Sequence, residues 1–249
     1  MNKYPNSKLV VLGPGVANPE FAEKIGFPVD KKAWSRILNQ AHFISVRGKL
    51  SKQELQNWNV SRPINIFHDP AVYFTREKVC SKPKTKKIGL NFADIGSRVY
   101  GGRQSNIESF AYNFVKKLLR NNWEVYLYPT TDKDLEYMLI EIGLKEFNQL
   151  KIYKNYSDID KSLDFLESLD IFIGQRLHSI IFSACVFTPF HALEYEPKTS
   201  DFIISSGLTV DYKTRVDELR IEEVYERLEY LYLNHNKEQK KLEINMKKI

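Results

Sequence analysis

The stretch at residues 170–185, Asp-Ile-Phe-Ile-Gly-Gln-Arg-Leu-His-Ser-Ile-Ile-Phe-Ser-Ala-Cys, constrains the fold of this 249-residue chain more than any other. Its opening, 170–173, is an apolar run that reads as a buried parallel strand, and Gly174 and Gln175 break it. Leu177, Ile180, Ile181 and Ala184 then recur at helical spacing, so a helix follows. Arg176 and His178 therefore sit where a strand hands over to a helix. Open α/β sheets bind ligands at the carboxyl ends of their strands. A helix N-terminus adds free N–H groups and the positive end of a dipole. A fixed cation and a titratable imidazole at that junction suit a phosphate or a carboxylate.

The same alternation recurs along the chain. Residues 8–12 predict a strand ending in Gly13-Pro14-Gly15, 34–40 a weak helix, and 42–46 a strand ending in Arg47-Gly48. A helix starts near Leu50, with Ser51 and Glu54 in the S-x-x-E spacing of a capping box. Residues 64–67 give a third strand, closed by His68-Asp69-Pro70. The polar, basic, proline-containing segment 81–87 then reads as a linker. Beyond it, strands are predicted at 88–92, 124–128, 151–153 and 190–193, besides the one at 170–173. Helices are predicted at 107–120, 135–142, 163–169, 201–206 and 218–233, and a polar Gly-rich loop spans 94–104. The charged tail, 234–249, is expected to fray.

The expected fold class is α/β, with two Rossmann-like domains facing across a cleft. Residues 1–80 form a short, partial N-terminal domain, 81–87 the linker, and 88–249 the C-terminal domain. Three strands make a thin sheet, so the first domain must lean on the second or on another subunit. A homo-oligomer is one way to meet that need.

Charge narrows the partners. Lys and Arg number 37 against 31 Asp and Glu, a net charge of +6. That excess favours anionic ligands or an anionic membrane surface. The cations are dispersed and no zinc-finger or RNA-binding signature occurs, so no nucleic-acid partner is expected. The two cysteines, Cys80 and Cys185, are far apart, with no CxxC; Cys185 reads as a buried free thiol. Such usage fits a reducing, cytoplasmic compartment. Residues 1–16 lack the apolar core of a signal peptide. No stretch approaches the roughly 18–20 apolar residues of a membrane span.

Four side chains stand out at carboxyl ends of strands: Arg47, Arg176, His178 and Lys198. Arginine grips a carboxylate or phosphate in a bidentate way, and lysine adds a point charge. His178 can exchange a proton near neutral pH. His68, Asn91, Thr130 with Thr131, and the aromatic rings of Tyr100 and Tyr195 are further cleft candidates. Asp69 reads as a structural cap, and His42 and His191 as core or surface histidines within strands. Gly13-Pro14-Gly15 is not a dinucleotide fingerprint. No metal-ligand cluster is legible and no redox cofactor is expected.

Four segments together resemble the polysaccharide pyruvyl transferase family: Phe43-Ile-Ser-Val-Arg-Gly-Lys-Leu-Ser51, His68-Asp-Pro-Ala-Val72, Gly174-Gln-Arg-Leu-His-Ser179 and Glu194-Tyr-Glu-Pro-Lys198. Their order and spacing match, from about Gly13 to Gly207. The resemblance implies a fold like the two-domain GT-B glycosyltransferases. It implies transfer of an enolpyruvyl-derived group from phosphoenolpyruvate to two hydroxyls of one sugar, giving a pyruvate ketal. The acceptor would be a sugar or lipid-linked glycan, in a cell-surface polysaccharide or its precursor. Cysteine usage and the basic charge, not the resemblance, place such an enzyme in the cytoplasm, with peripheral contact to the inner membrane surface as an expectation. Donor contacts are implied at Arg47, Arg176, Leu177 and Lys198. His178 is implied in catalysis, protonating the methylene carbon or deprotonating the attacking hydroxyl.

The chain departs from the family pattern in lacking the extra N-terminal strand–helix portion with its Gly/Asn/Asp-rich loop. A natural minimal form and a piece of a longer protein both fit that departure. Two competing readings are a nucleotide-sugar-dependent GT-B glycosyltransferase and a non-catalytic sugar-binding domain. Against the first, no E-x-x-x-x-x-x-E ribose-binding pattern precedes the C-terminal strand.

Overall fold

The computed structural model describes residues 7–79 and 84–249. Cys80 and the first three residues of the expected linker lie outside them, as do residues 1–6 of the segment read for a leader.

Two parallel sheets organise the chain. The first takes β1 (Val10–Val11), β2 (Phe43–Val46) and β3 (Asn65–Ile66), in the order β1-β2-β3. Helices α1 (Pro19–Lys24), α2 (Lys31–Leu38) and α3 (Lys49–Asn57) connect these strands. Val46, Ile44, Leu38, Leu55 and Trp58 close a small core on one face. On the other face Val10 and Phe67 stay exposed.

The second sheet has six parallel strands in the order β6-β5-β4-β7-β8-β9. They are β4 (Lys87–Asn91), β5 (Glu124–Leu127), β6 (Lys151–Ile152), β7 (Ile171–Gly174), β8 (Phe190–Glu194) and β9 (Lys213–Arg215). Numbered from β4, this is the 3-2-1-4-5-6 order of a doubly wound nucleotide-type sheet. The crossover helices are α4 (Ser105–Arg120), α5 (Asp132–Glu136), α6 (Ile159–Ser168), α7 (Leu177–Cys185) and α8 (Lys198–Ser205). α9 (Ile221–Leu233) and α10 (His235–Met246) end the chain. β4, β7 and β8 are buried almost throughout, because helices cover both faces of the sheet. The α/β class and its GT-B-like arrangement of parallel sheets are therefore as expected from the sequence.

Five local expectations change. Ser51 is not a cap: α3 begins two residues earlier, at Lys49, and its first N–H groups go to another element, described below. The helix expected at 135–142 is a short α5 that passes into one π-turn over Tyr137–Glu141. α1 was not predicted, although Asn18 caps it through a bond to the Phe21 N–H, with Pro19 at its first position. β9 was not predicted because its sequence, Lys-Thr-Arg, has no apolar pattern; it pairs along β8 at the sheet edge. The tail does not fray. Leu242 and Met246 of α10 join the core beneath α7, and buried Glu238 accepts a hydrogen bond from the Tyr212 hydroxyl.

The N-terminal boundary also carries a structural detail. A 3₁₀ turn over Pro70–Phe74, before the expected linker, already packs on the second core through Ala71, Val72 and Phe74. Cys185 is buried there as a free thiol, and burial pushes its pKa up to about 12.

Candidate active site

The switch point of the large sheet lies between β4 and β7, where the strand order reverses. Asn91 ends β4 and is fully buried. Its Oδ1 accepts the Arg176 N–H at 2.9 Å, and its Nδ2 donates to the Tyr128 carbonyl at 2.9 Å. Gln175 accepts the Ala93 N–H at 2.8 Å. These bonds fix the turn from β7 into α7, and with it the start of the Arg176 side chain. Arg176 Nε and Nη2 reach Oδ1 of Asp134 at 3.3 and 2.6 Å. Asp134 is 1% exposed, and its other oxygen takes the Thr130 hydroxyl at 2.5 Å. Asn91 and Thr130 thus support Arg176 from behind; neither offers the free side chain expected of a ligand contact.

Arg47 ends β2. Its N–H bonds the Pro14 carbonyl at 3.1 Å, tying it to the Gly13–Gly15 turn. Its Nη1 lies 3.1 Å from Oδ2 of Asp69, while its buried Nε has no hydrogen-bond partner. Asp69, only 4% exposed, turns its Oδ1 toward His178 Nε2 at 3.8 Å. A chain Arg47–Asp69–His178 therefore joins the end of the small sheet to the start of α7. The His178 side chain itself is 64% exposed.

Lys198 opens α8. Its ammonium pairs with Glu196 and stands 4.8 Å from the centre of the Tyr195 ring. Tyr195 is 3% exposed, so its face is under Lys198 and in the core rather than open to stack on a sugar. Burial and the nearby Glu196 raise the Tyr195 pKa, while the charge of Arg176 opposes that shift. Leu177 is likewise buried, its side chain in the core, so only its backbone can face a ligand. No side chain caps α7, which leaves its first-turn N–H groups at the same edge.

Arg47 and Lys198 line one cavity of about 420 Å³ between the sheets, with Gly15, Phe21, Arg98 and Asp201. Arg176 and His178 are not among its lining residues; His178 joins the group through Asp69, and Arg176 stands at the switch point on Asp134. Arg98, missed by the sequence reading, comes from the Gly-rich loop, and its guanidinium sits 5.3 Å over the ring of Phe27 from the N-terminal half. A second hollow of about 720 Å³ adjoins, sharing Phe21, Leu50 and Pro197 and reaching Tyr100, Arg215 and Asp217.

What brings the two halves together is Asp201, a residue singled out by no motif. From α8 it accepts the Leu50 N–H at 2.8 Å, the Ser51 N–H at 3.3 Å and the Ser51 hydroxyl at 2.5 Å, and Ser205 takes the Lys49 N–H at 2.7 Å. The C-terminal half thus caps the helix of the N-terminal half. His68 sits near this junction, with its backbone in the left-handed region at φ 57°. Burial and the charge of Lys49 lower its pKa, and Asp201 opposes them. His191 is core, at 2% exposure, its Nε2 2.8 Å from the Thr214 hydroxyl, and His42 is exposed. Among the described residues, no group of three or more His, Cys, Asp or Glu is placed to hold a metal ion.

Two parallel sheets of this order, with basic side chains gathered where their carboxyl edges meet, define a GT-B-like α/β protein. The chain belongs to the polysaccharide pyruvyl transferase family, whose family model matches residues 1–197. No curated protein matches it. Among solved structures, it is similar to a TarM mutant from S. aureus crystallised with fondaparinux, alpha-GlcNAc-glycerol and UDP. The TM-score is 0.55 at 18% identity, over 88% of this chain and 44% of that one. The likeness is one of fold, and this chain spans less than half the length of that TarM chain.

Proposed function

We propose that the chain transfers an enolpyruvyl-derived group from phosphoenolpyruvate to two hydroxyls of a sugar in a cell-surface polysaccharide or its precursor, leaving a pyruvate ketal. The observation that carries the reading is the placing of Arg47 and Lys198, from opposite halves, around one cavity, with His178 linked to Arg47 through Asp69. The donor bears a carboxylate and a phosphate, and three fixed cations suit both. Arg47, Arg176 and Lys198 hold these groups, and the uncapped start of α7 adds N–H donors. Electrostatic preorganisation of this kind is the larger catalytic contribution.

The proton count balances in two steps. The first hydroxyl attacks C2 as a proton is delivered to the methylene C3, giving a tetrahedral adduct that still carries phosphate. The second hydroxyl then displaces phosphate, its proton leaving with the departing phosphate, and the ring closes. His178 carries the proton in the first step. No oxidant or reductant is consumed.

Charge supports a reading of where the chain acts. The outward face of α10 carries Lys237, Lys240 and Ile244, followed by Lys247 and Lys248, all exposed, while Glu238 is buried. Glu243, on the flank, pairs with Lys240 and Lys247. We assign this face to the anionic inner surface of a membrane. No helix among the described residues is long and apolar enough to cross one.

The decisive experiment incubates the protein with phosphoenolpyruvate and a panel of glycans, and follows release of inorganic phosphate. Acceptor-dependent phosphate release is expected. His178→Ala should lower the rate by about 10²–10⁴-fold, the usual span for a lost proton-transfer group, with an unchanged melting temperature. Release of UDP from a nucleotide sugar instead would assign the chain to glycosyl transfer. Sugar binding without phosphate release would make it a binding domain.

A further inference from the structure

Asp69 reads from the sequence as a cap, and it does cap: its Oδ1 accepts the Ala71 N–H at 3.1 Å. That role does not require the rest of its surroundings. The carboxylate is 4% exposed, yet it stands between two basic side chains from different halves of the molecule. Burying a carboxylate is costly unless it is paired, and Arg47 provides the pairing. The oxygen that caps Ala71, Oδ1, also faces His178 Nε2 at 3.8 Å, from the turn after β3 across to the first turn of α7. The His178 side chain is 64% exposed, free to swing the short distance that separates this contact from a hydrogen bond. Catalytic hydrogen bonds are often long in a ligand-free structure and tighten when substrate binds.

We infer that Asp69 is the positioning residue of a His–Asp pair spanning the two halves, which presents His178 to the donor through Nδ1. The reasoning is one of hydrogen-bond capacity. A carboxylate only accepts, and a neutral imidazole carries one N–H and one lone pair. Nε2 must then hold the proton, and Nδ1, the nitrogen not turned to Asp69, holds the lone pair that takes the hydroxyl proton. Arg47 has a double duty: it contacts the donor's anionic group and anchors the carboxylate that orients the histidine. Donor binding and the alignment of His178 are thereby coupled through one buried side chain. The use of Nδ1 in turnover rests on the pyruvyl-transfer reading; the pairing itself does not.

The test substitutes Asp69→Asn. The charge-assisted bond to Arg47 is the stronger one, so the amide oxygen stays on Arg47, the Ala71 N–H loses its acceptor, and the NH₂ turns toward His178. Nε2 then becomes the acceptor, and the imidazole proton moves to Nδ1. Long-range ¹H–¹⁵N spectra of histidine-labelled protein, with the His178 signal assigned by His178→Gln, read this directly without any donor present. The expected result is Nε2–H in the wild type and a shift to Nδ1–H in Asp69→Asn. In turnover, kcat should fall about 10²–10⁴-fold with phosphoenolpyruvate affinity held within about threefold. A wild-type spectrum dominated by Nδ1–H overturns the inference, and this needs no variant to fold. An unchanged tautomer in Asp69→Asn, or a changed tautomer with kcat intact, overturns it as well. Should the wild type transfer no pyruvyl group at all, the functional reading fails while the spectra still decide the pair.

Discussion

Gly15 shows how tightly one residue can be held by a function-bearing neighbour. A Cβ placed there would lie 2.1 Å from Nη2 of Arg47. The atom it meets is the end of a flexible side chain, so the backbone need not move and the guanidinium must. Gly15→Ala is expected to weaken phosphoenolpyruvate binding about 10-fold or more, the worth of one charge-assisted hydrogen bond, with little change in melting temperature. Calorimetric titration checks the first and a thermal melt the second. His191 makes a different kind of prediction. Burial first, then the charge of Arg227, lowers its pKa from 6.5 to about 3. Below pH 6.5 the unfolded chain takes up a proton that the native chain refuses, so stability is full above that pH and is lost as pH falls toward 3. At pH 5 the loss amounts to about 2 kcal/mol. Urea midpoints at pH 7 and pH 5 should differ less in His191→Gln than in the wild type. Residue identity announced Arg47, Arg176, His178 and Lys198, because cations at strand ends are conspicuous. It could not announce Asp69 or Asp134, since a carboxylate beside a turn looks like a cap until its partners from distant segments are in place.

Among the elements, α3 is the most instructive. Ser51 and Glu54 have the spacing of a capping box, yet the helix starts at Lys49 and the cap is Asp201, some 150 residues away in sequence. Gly48 makes this possible: a side chain there would meet Asp201 Oδ1 at 2.1 Å. Asp201→Ala removes a cap and also the clasp that sets Arg47 against Lys198. Loss of a helix N-cap costs about 0.5–2 kcal/mol. Chemical denaturation should show that loss, and donor affinity should fall with it. A variant with lowered stability and normal donor affinity would separate the clasp from the site. Sequence periodicity recovered most of the larger sheet's strands and helices, because apolar alternation is a local property. It missed α10, whose burial comes from five residues, His235, Glu238, Gln239, Leu242 and Met246, on one face of an otherwise charged segment.

At the scale of the whole molecule, the thin sheet does not stand alone. Its helix is capped by the large half, and the Pro70–Phe74 turn packs on the large core. The net charge of +6 has a directional component in α10. Vesicles containing anionic phospholipid should bind the protein at low salt and release it at high salt, whereas neutral phosphatidylcholine vesicles should not bind it. Lys237→Glu combined with Lys240→Glu should abolish the binding without altering phosphate release in solution; sedimentation with vesicles measures the first. Retention of the double variant on anionic vesicles would exclude this face.

The sequence by itself determined the alternation of strand and helix, the parallel sheets that follow from it, and the basic residues at strand ends. These are consequences of hydrophobic period and of residue type, which neighbours a few positions apart suffice to express. Only the tertiary structure decided what each cation faces. Arg47 meets Asp69, Arg176 meets Asp134, and Asp201 closes α3, because buried charges and open helix ends must find partners wherever the chain's packing brings them, and that address is not written in any local pattern.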